Sequence, residues 1–152
     1  METSHWFVVG IDFSDGAASA LEHAVELATE IRASIACVHA YEDAPGTQLL
    51  EDGCRKLAEL ESVVAMSGAR SKGIRVETMV RRGPAWEKLV NVACDLGARL
   101  IVVGASGQRW VPHHFFLGTV ATRVAATSRR MVLIVPVWAD GSGEIGERTA
   151  AS

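Results

Sequence analysis

The chain has 152 residues, 49% of them hydrophobic, and a formal net charge of −3. That is enough apolar material for one domain with its own core, and it argues against disorder of the whole chain. The acidic balance excludes the basic surface that a nucleic-acid binder needs, and no apolar run is long enough to span a membrane.

Polar Met1 to His5 leads straight into Trp6 to Ile11, with no secretory-signal pattern between them. Trp6 to Ile11 is rich in β-branched and aromatic residues and reads as a strand buried on both faces. Asp12-Phe13-Ser14-Asp15-Gly16 follows as a turn, with Ser14 placed to cap a helix. That helix carries Leu21, Ala24, Val25, Ala28 and Ile31 as one apolar stripe, with Glu22, Glu26 and Glu30 off it. Ser34 to Ala40 reads as the second strand, and Tyr41 to Gln48 as a loop turned by Pro45-Gly46.

Leu50, Cys54, Leu57 and Val64 mark a second helix, ended by Gly68 to Gly73. Ile74, Val76, Thr78 and Val80 alternate with Arg75, Glu77 and Met79, as in a strand that is half exposed or at a sheet edge. Gly83-Pro84 starts a third helix, with Pro84 in its first turn and Gly97 at its stop. Trp86, Leu89, Val90 and Ala93 form its apolar face. Arg99 to Val103 is the fourth strand, Val120 to Thr127 the fourth helix, and Met131 to Val137 the fifth strand. Pro136 inside that last run favours an edge or a strand end. Ala139 to Ser152 is small, polar and aperiodic, and a disordered tail is expected there.

Strands alternate with helices throughout. Right-handed crossovers then predict an α/β fold: a doubly wound, open, five-stranded parallel sheet with helices on both faces. Ligands in such sheets sit beyond the carboxyl ends of the strands, where the strand order reverses. The loops at Asp12, Ala40 and Gly104 are therefore the candidates. The strongest local signal is Val102-Val103-Gly104-Ala105-Ser106-Gly107, followed after an insert by Gly118-Thr119 and a helical pattern. A buried strand, a glycine loop and a helix start together suit an anion such as phosphate.

The other candidates are weaker. Asp12 is either a ligand contact or a cap for the following helix. Thr119 suits both a cap and a phosphate contact. Arg109 is either a bidentate phosphate partner or a solvated loop residue. His113-His114 lack the neighbours of a metal site, and no metal is expected. His39 reads as a packed core histidine, Trp86 as a helix face on the sheet, and Trp110 has no periodic partner. Cys37, Cys54 and Cys94 are odd in number, widely spaced and set in apolar patterns. They point to a reducing, cytoplasmic setting rather than to disulfides or zinc. No Walker loop, dinucleotide glycine motif or nucleophile elbow is present, and no nucleophile is paired with a base. No catalytic residue is expected.

Val8-Val9-Gly10-Ile11-Asp12-Phe13-Ser14, Val38-His39-Ala40, Ile101 to Gly107, Leu117 to Ala121 and Met131 to Val137 together resemble the universal stress protein family. The resemblance covers Trp6 to Val137 and implies a single domain over residues 1–138 with an adenine nucleotide alpha hydrolase-like fold. The glycines of the family's ATP-binding branch are matched by Gly104, Gly107 and Gly118-Thr119, although the Gln108 to Leu117 insert is one residue longer than the family's pattern. The resemblance implies that Gly10, Ile11 and Asp12 face ribose and adenine, and that Ala40 offers backbone bonds to adenine. It implies Gly104 near the ribose, and Gly107, Gln108, Gly118, Thr119 and Val120 around the phosphates. The expected ligand is ATP, or AMP or ADP, with Mg²⁺ as a candidate counter-ion. The expected assembly is a homodimer through Met131 to Val137, acting in stress response as a nucleotide sensor, with no nucleic-acid or membrane partner. The alternatives are a dimeric scaffold that binds no nucleotide, or a weak ATPase.

Overall fold

The structure is a computed structural model and describes residues 5–42, 49–106 and 117–136. The expected Pro45-Gly46 turn, the insert residues Gly107 to Phe116, Val137 and the expected tail lie outside the described residues. Five strands, β1 (Trp6–Gly10), β2 (Ser34–Tyr41), β3 (Val76–Arg82), β4 (Leu100–Gly104) and β5 (Met131–Val135), alternate with four α-helices. The helices are α1 (Asp15–Ile31), α2 (Leu49–Ser67), α3 (Ala85–Leu96) and α4 (Thr119–Thr127). All strand pairs are parallel, in the order β3-β2-β1-β4-β5. The order reverses beside β1, between β2 and β4, which is where such a sheet opens a crevice.

The central strands are almost wholly apolar, Ser34 and His39 of β2 excepted, because both of their faces are covered. Phe7, Val9, Ile35, Cys37, Leu100 and Val102 bury one face against α1 and α2. Val8, Ala36, Val38, Ile101 and Val103 bury the other against α3 and α4. Both outer strands are less buried, as the alternation in β3 and the proline after β5 suggest.

Several expectations need correction. β5 stops at Val135, not Val137, because Pro136 has no N–H to carry the ladder on. Val135 is itself core, 3% exposed, whereas Met131 at the other end of the strand is 64% exposed. β3 runs from Val76 to Arg82, two residues later than its apolar alternation suggests. In α1 the buried stripe ends at Ala28, and Ile31 is exposed where the helix runs off the sheet. In α2 the core contacts come from Leu60 and Val64, while Cys54 and Leu57 are exposed. The first half of α2 faces the end of β2, with Lys56 Nζ 5.6 Å from the centre of the Tyr41 ring, so little apolar sheet lies beneath Leu57. Cys94 is exposed too, and only Cys37 of the three cysteines is core, its thiol pushed up to about 12 by burial.

The helix starts also shift. Pro84, at ψ 130°, is the N-cap of α3 rather than part of its first turn. Gly118 caps α4, so Thr119 is its first helical residue and makes no side-chain cap. Ser14 caps α1 as expected, its Oγ accepting from the Ala17 N–H at 3.2 Å. Gly97 stops α3 in the left-handed region at φ 60°. Trp86 packs half-buried on the α3/α4 side, with the Arg123 guanidinium 5.5 Å from its ring centre.

Glu61 of α2 bonds both Arg70 (2.6 Å) and Thr78 of β3 (2.5 Å), and these bonds, Arg70 foremost, hold its carboxyl below the usual carboxylate range. Both members of the Glu61–Arg70 pair are nearly half exposed. Such a pair contributes about 1 kcal/mol at most, less than the roughly 1.5–3 kcal/mol from burying one leucine. Leu60 and Val64 therefore hold α2 down more than the ion pair does.

Two glycines set how closely helices approach the crevice. A Cβ on Gly104 would lie 3.0 Å from the backbone carbon of Gly16 in α1, and backbone cannot yield cheaply. A Cβ on Gly10 would meet Leu89 Cδ1 at 2.9 Å, the far end of a side chain. Gly104→Ala is expected to cost about 1–3 kcal/mol in urea denaturation, and Gly10→Ala less. Equal costs would show that the α1 contact is not the tighter constraint.

Candidate functional site

Beyond the carboxyl ends of β1, β2 and β4 lies a cavity of about 520 Å³, within the range of small-molecule sites. Of the sequence-predicted residues, Gly10, Ile11, Asp12, Ala40, Gly104, Gly118, Thr119 and Val120 line it together. Gly107, Gln108 and Arg109 lie outside the described residues. Sequence reasoning missed the contribution of α3, whose Ala85 and Leu89 form one wall. The signal available for that wall was the Gly83-Pro84 helix start. Ser14, Ala17, His39 and Ser106 were also not placed at the site from sequence, yet they line the cavity.

The phosphate-type end is built from backbone. The Ala105 N–H donates to the Val135 carbonyl at 2.9 Å, and the Gly118 N–H donates to the Ala105 carbonyl at 2.6 Å. The two ends of the insert are thus pinned to each other and to β5. The Gly118 amide is engaged by that bond, and its carbonyl accepts from the Thr122 N–H at 3.0 Å. Helix geometry leaves the amides of Thr119, Val120 and Ala121 without an intrahelical acceptor, and among the described residues no side chain caps this helix. All three residues line the cavity, so the positive end of α4 faces into it.

The opposite end is a tight turn. Asp12 Oδ1 accepts from the Ser14 N–H at 3.0 Å and also from the Ser14 hydroxyl. Asp12 therefore shapes the turn, while Ser14 is the helix cap. Between them Phe13 sits at φ 63°, an uncommon backbone conformation for a bulky residue. Its side chain packs on the core beneath α1 and α2.

His39 is buried as expected. Its Nδ1 lies 2.6 Å from the Ile11 carbonyl, and burial, the largest influence, pushes its pKa below the ordinary value. Asp12 and His39 are the two titratable side chains among the described residues that line the cavity.

Sheet order, switch-point crevice and open helix N-terminus define a doubly wound α/β protein with an adenine nucleotide alpha hydrolase-like fold. A model of the universal stress protein family matches residues 5–136. Universal stress protein YxiE of Bacillus subtilis is 31% identical over 143 residues, covering 84% of this chain and 96% of that protein. A solved universal stress protein in complex with cAMP is 28% identical, with a TM-score of 0.66, over 86% of this chain and 96% of that one. Hypothetical protein MJ0577 shares the fold, with a TM-score of 0.73 at 23% identity over 88% of this chain and 96% of its own. The chain belongs to the universal stress protein family. Among its described residues no helix is long and apolar enough to cross a membrane.

The turn predicts one measurable cost. Ser14→Ala removes the cap of α1 and the hydroxyl bond to Asp12, and is expected to lower stability by about 1 kcal/mol in thermal or chemical denaturation. An unchanged midpoint would mean that the cap contributes nothing there.

Proposed function

We propose that this chain binds ATP or a related adenine nucleotide, AMP or ADP, in the switch-point cavity, and acts in the cytoplasm as a nucleotide-responsive stress protein. The observation that carries this reading is the uncapped N-terminus of α4 facing the cavity, with three first-turn amides available to a phosphate. The relative solved with cAMP supports the adenine half of the reading. Ile11, Asp12 and Ala40 then meet the base and sugar, and Gly104 lies close to the ribose. Gly107, Gln108 and Arg109 complete the phosphate end in this reading. Mg²⁺ is carried by the phosphates and water. Among the described residues the cavity's titratable side chains are Asp12, tied to Ser14, and His39, tied to Ile11, so neither is assigned as a base for hydrolysis.

Thr119→Pro tests the phosphate end without dismantling the helix. Proline suits the first helical position, and Gly118 before it is already extended at ψ 162°. The variant is expected to keep its thermal midpoint and its affinity for adenosine. Its affinity for ATP should fall about tenfold, the loss of one hydrogen bond to a charged group. Calorimetry showing unchanged ATP affinity would refute the assignment of the α4 amides. Native protein that binds neither ligand would leave the dimeric scaffold as the reading.

In the same proposal two copies pair through β5, which is the outer strand of the sheet among the described residues. Met131→Glu places a charge on its exposed end without entering the core. Light scattering is expected to show the native dimer and a shift toward monomer in the variant. A native monomer would remove this interface.

A further inference from the structure

The Ile11 peptide is held by β2 from both sides. Its N–H donates to the Val38 carbonyl at 2.9 Å, and its carbonyl accepts from His39 Nδ1 at 2.6 Å. A carbonyl only accepts, so Nδ1 carries a proton. With the buried ring neutral, Nε2 is a bare lone pair. Among the described residues that Nε2 is buried and has no hydrogen-bond partner. The ring also lies 4.5 Å, centre to centre, from Phe13, the left-handed residue of the turn, and 6.5 Å from Tyr41. One buried imidazole therefore touches the turn at two places, the Ile11 carbonyl and the Phe13 ring.

We propose that His39 is a positioning residue for the bound ligand, holding the Ile11-Asp12-Phe13 segment in the shape that presents Ile11 and Asp12 to the cavity. The proposal rests on the adenine-nucleotide reading above and assigns control of its base-and-sugar end to one side chain. Left-handed backbone at Phe13 persists only where its surroundings over-determine it. The Asp12–Ser14 bonds secure the far side of the turn, and His39 secures the near side.

The same geometry couples the site to acid. The charged or titratable groups around the ring are Asp12 of the turn, Tyr41 of β2, and Lys56 and Glu59 of α2. Burial disfavours a charged ring most; the Ile11 bond, Asp12 and Glu59 favour it and Lys56 disfavours it, with burial outweighing the favourable contributions. A proton on Nε2 would be a buried donor without an acceptor among the described residues; the Ile11 bond favours the charged ring, but burial outweighs it, so charging the ring strains its fit against the turn. The folded value lies below the ordinary one. The neutral ring that fits against the turn is therefore fully present above about pH 6.5 and is lost as pH falls through the lower folded value.

Asparagine separates the two ring nitrogens, because its amide N–H₂ sits where Nδ1 does and it has nothing at Nε2. Adenosine is the probe, since it has no phosphate to titrate. In calorimetry near neutral pH, His39→Asn is expected to bind adenosine within about threefold of native, and His39→Leu about tenfold more weakly. As pH falls from about 7.5 through the folded value of the native ring, native affinity should fall more steeply than that of His39→Asn. That comparison does not require His39→Leu to fold. Native-like binding by His39→Leu, His39→Asn as weak as His39→Leu, or parallel pH profiles would each overturn the proposal. If native protein binds no adenosine, the nucleotide reading fails, and amide exchange at Asp12, Phe13 and Ser14 still decides the role of His39. Faster exchange, about tenfold, in His39→Leu and not in His39→Asn supports it, and unchanged exchange in His39→Leu overturns it.

Discussion

The contact between Gly104 and Gly16 constrains the rest of the molecule. Two backbones meet with no side chain between them, at the point where β4 ends and α1 begins. That approach draws the first turn of α1 to the end of β4, and so places the Asp12-Phe13-Ser14 turn over the sheet rather than beside it. On the other face Gly10 leaves room for Leu89, which brings α3 over the end of β1. The crevice therefore has walls from both helical layers, and its floor is strand backbone.

Within those walls the polar work is divided. Backbone does the electrostatics at the α4 end, where a helix start without a side-chain cap turns its amides inward. Side chains do the shaping at the β1 end. Asp12 is occupied with Ser14, and His39 with Ile11, so each of these polar residues first defines the turn. A site built this way is largely preformed, since its donors and its strained turn are fixed by the fold that surrounds them.

Membership of the universal stress protein family accounts for the strand order and for the position of the crevice. Here the Gly118 amide closes the loop onto Ala105 instead of facing the cavity, and the available donors lie one to three residues further along α4. Gly104, which the glycine pattern suggests as a place for close ligand approach, is also required for helix packing. The glycine motif thus serves the scaffold and the crevice at once.

Apolar runs in β1, β2 and β4, the amphipathic α1, and the strand–helix alternation were enough to read a doubly wound parallel sheet and to find the loops at its carboxyl ends. Those signals are local, because burial on two faces and helical periodicity are written into consecutive residues. Ser14 and Gly97 were legible for the same reason, since caps are chosen by backbone geometry within one turn. The wall made by Ala85 and Leu89, the exposure of Leu57, Cys54 and Cys94, and the core position of Val135 were not. Each depends on which distant element lies opposite, and periodicity carries no record of that. The tie between His39 and Ile11 is the clearest case: the partners are 28 residues apart, and they meet because β2 pairs beside β1 in parallel register. Its place at a strand end marked His39 as a core histidine. Folding made it a neighbour of the turn.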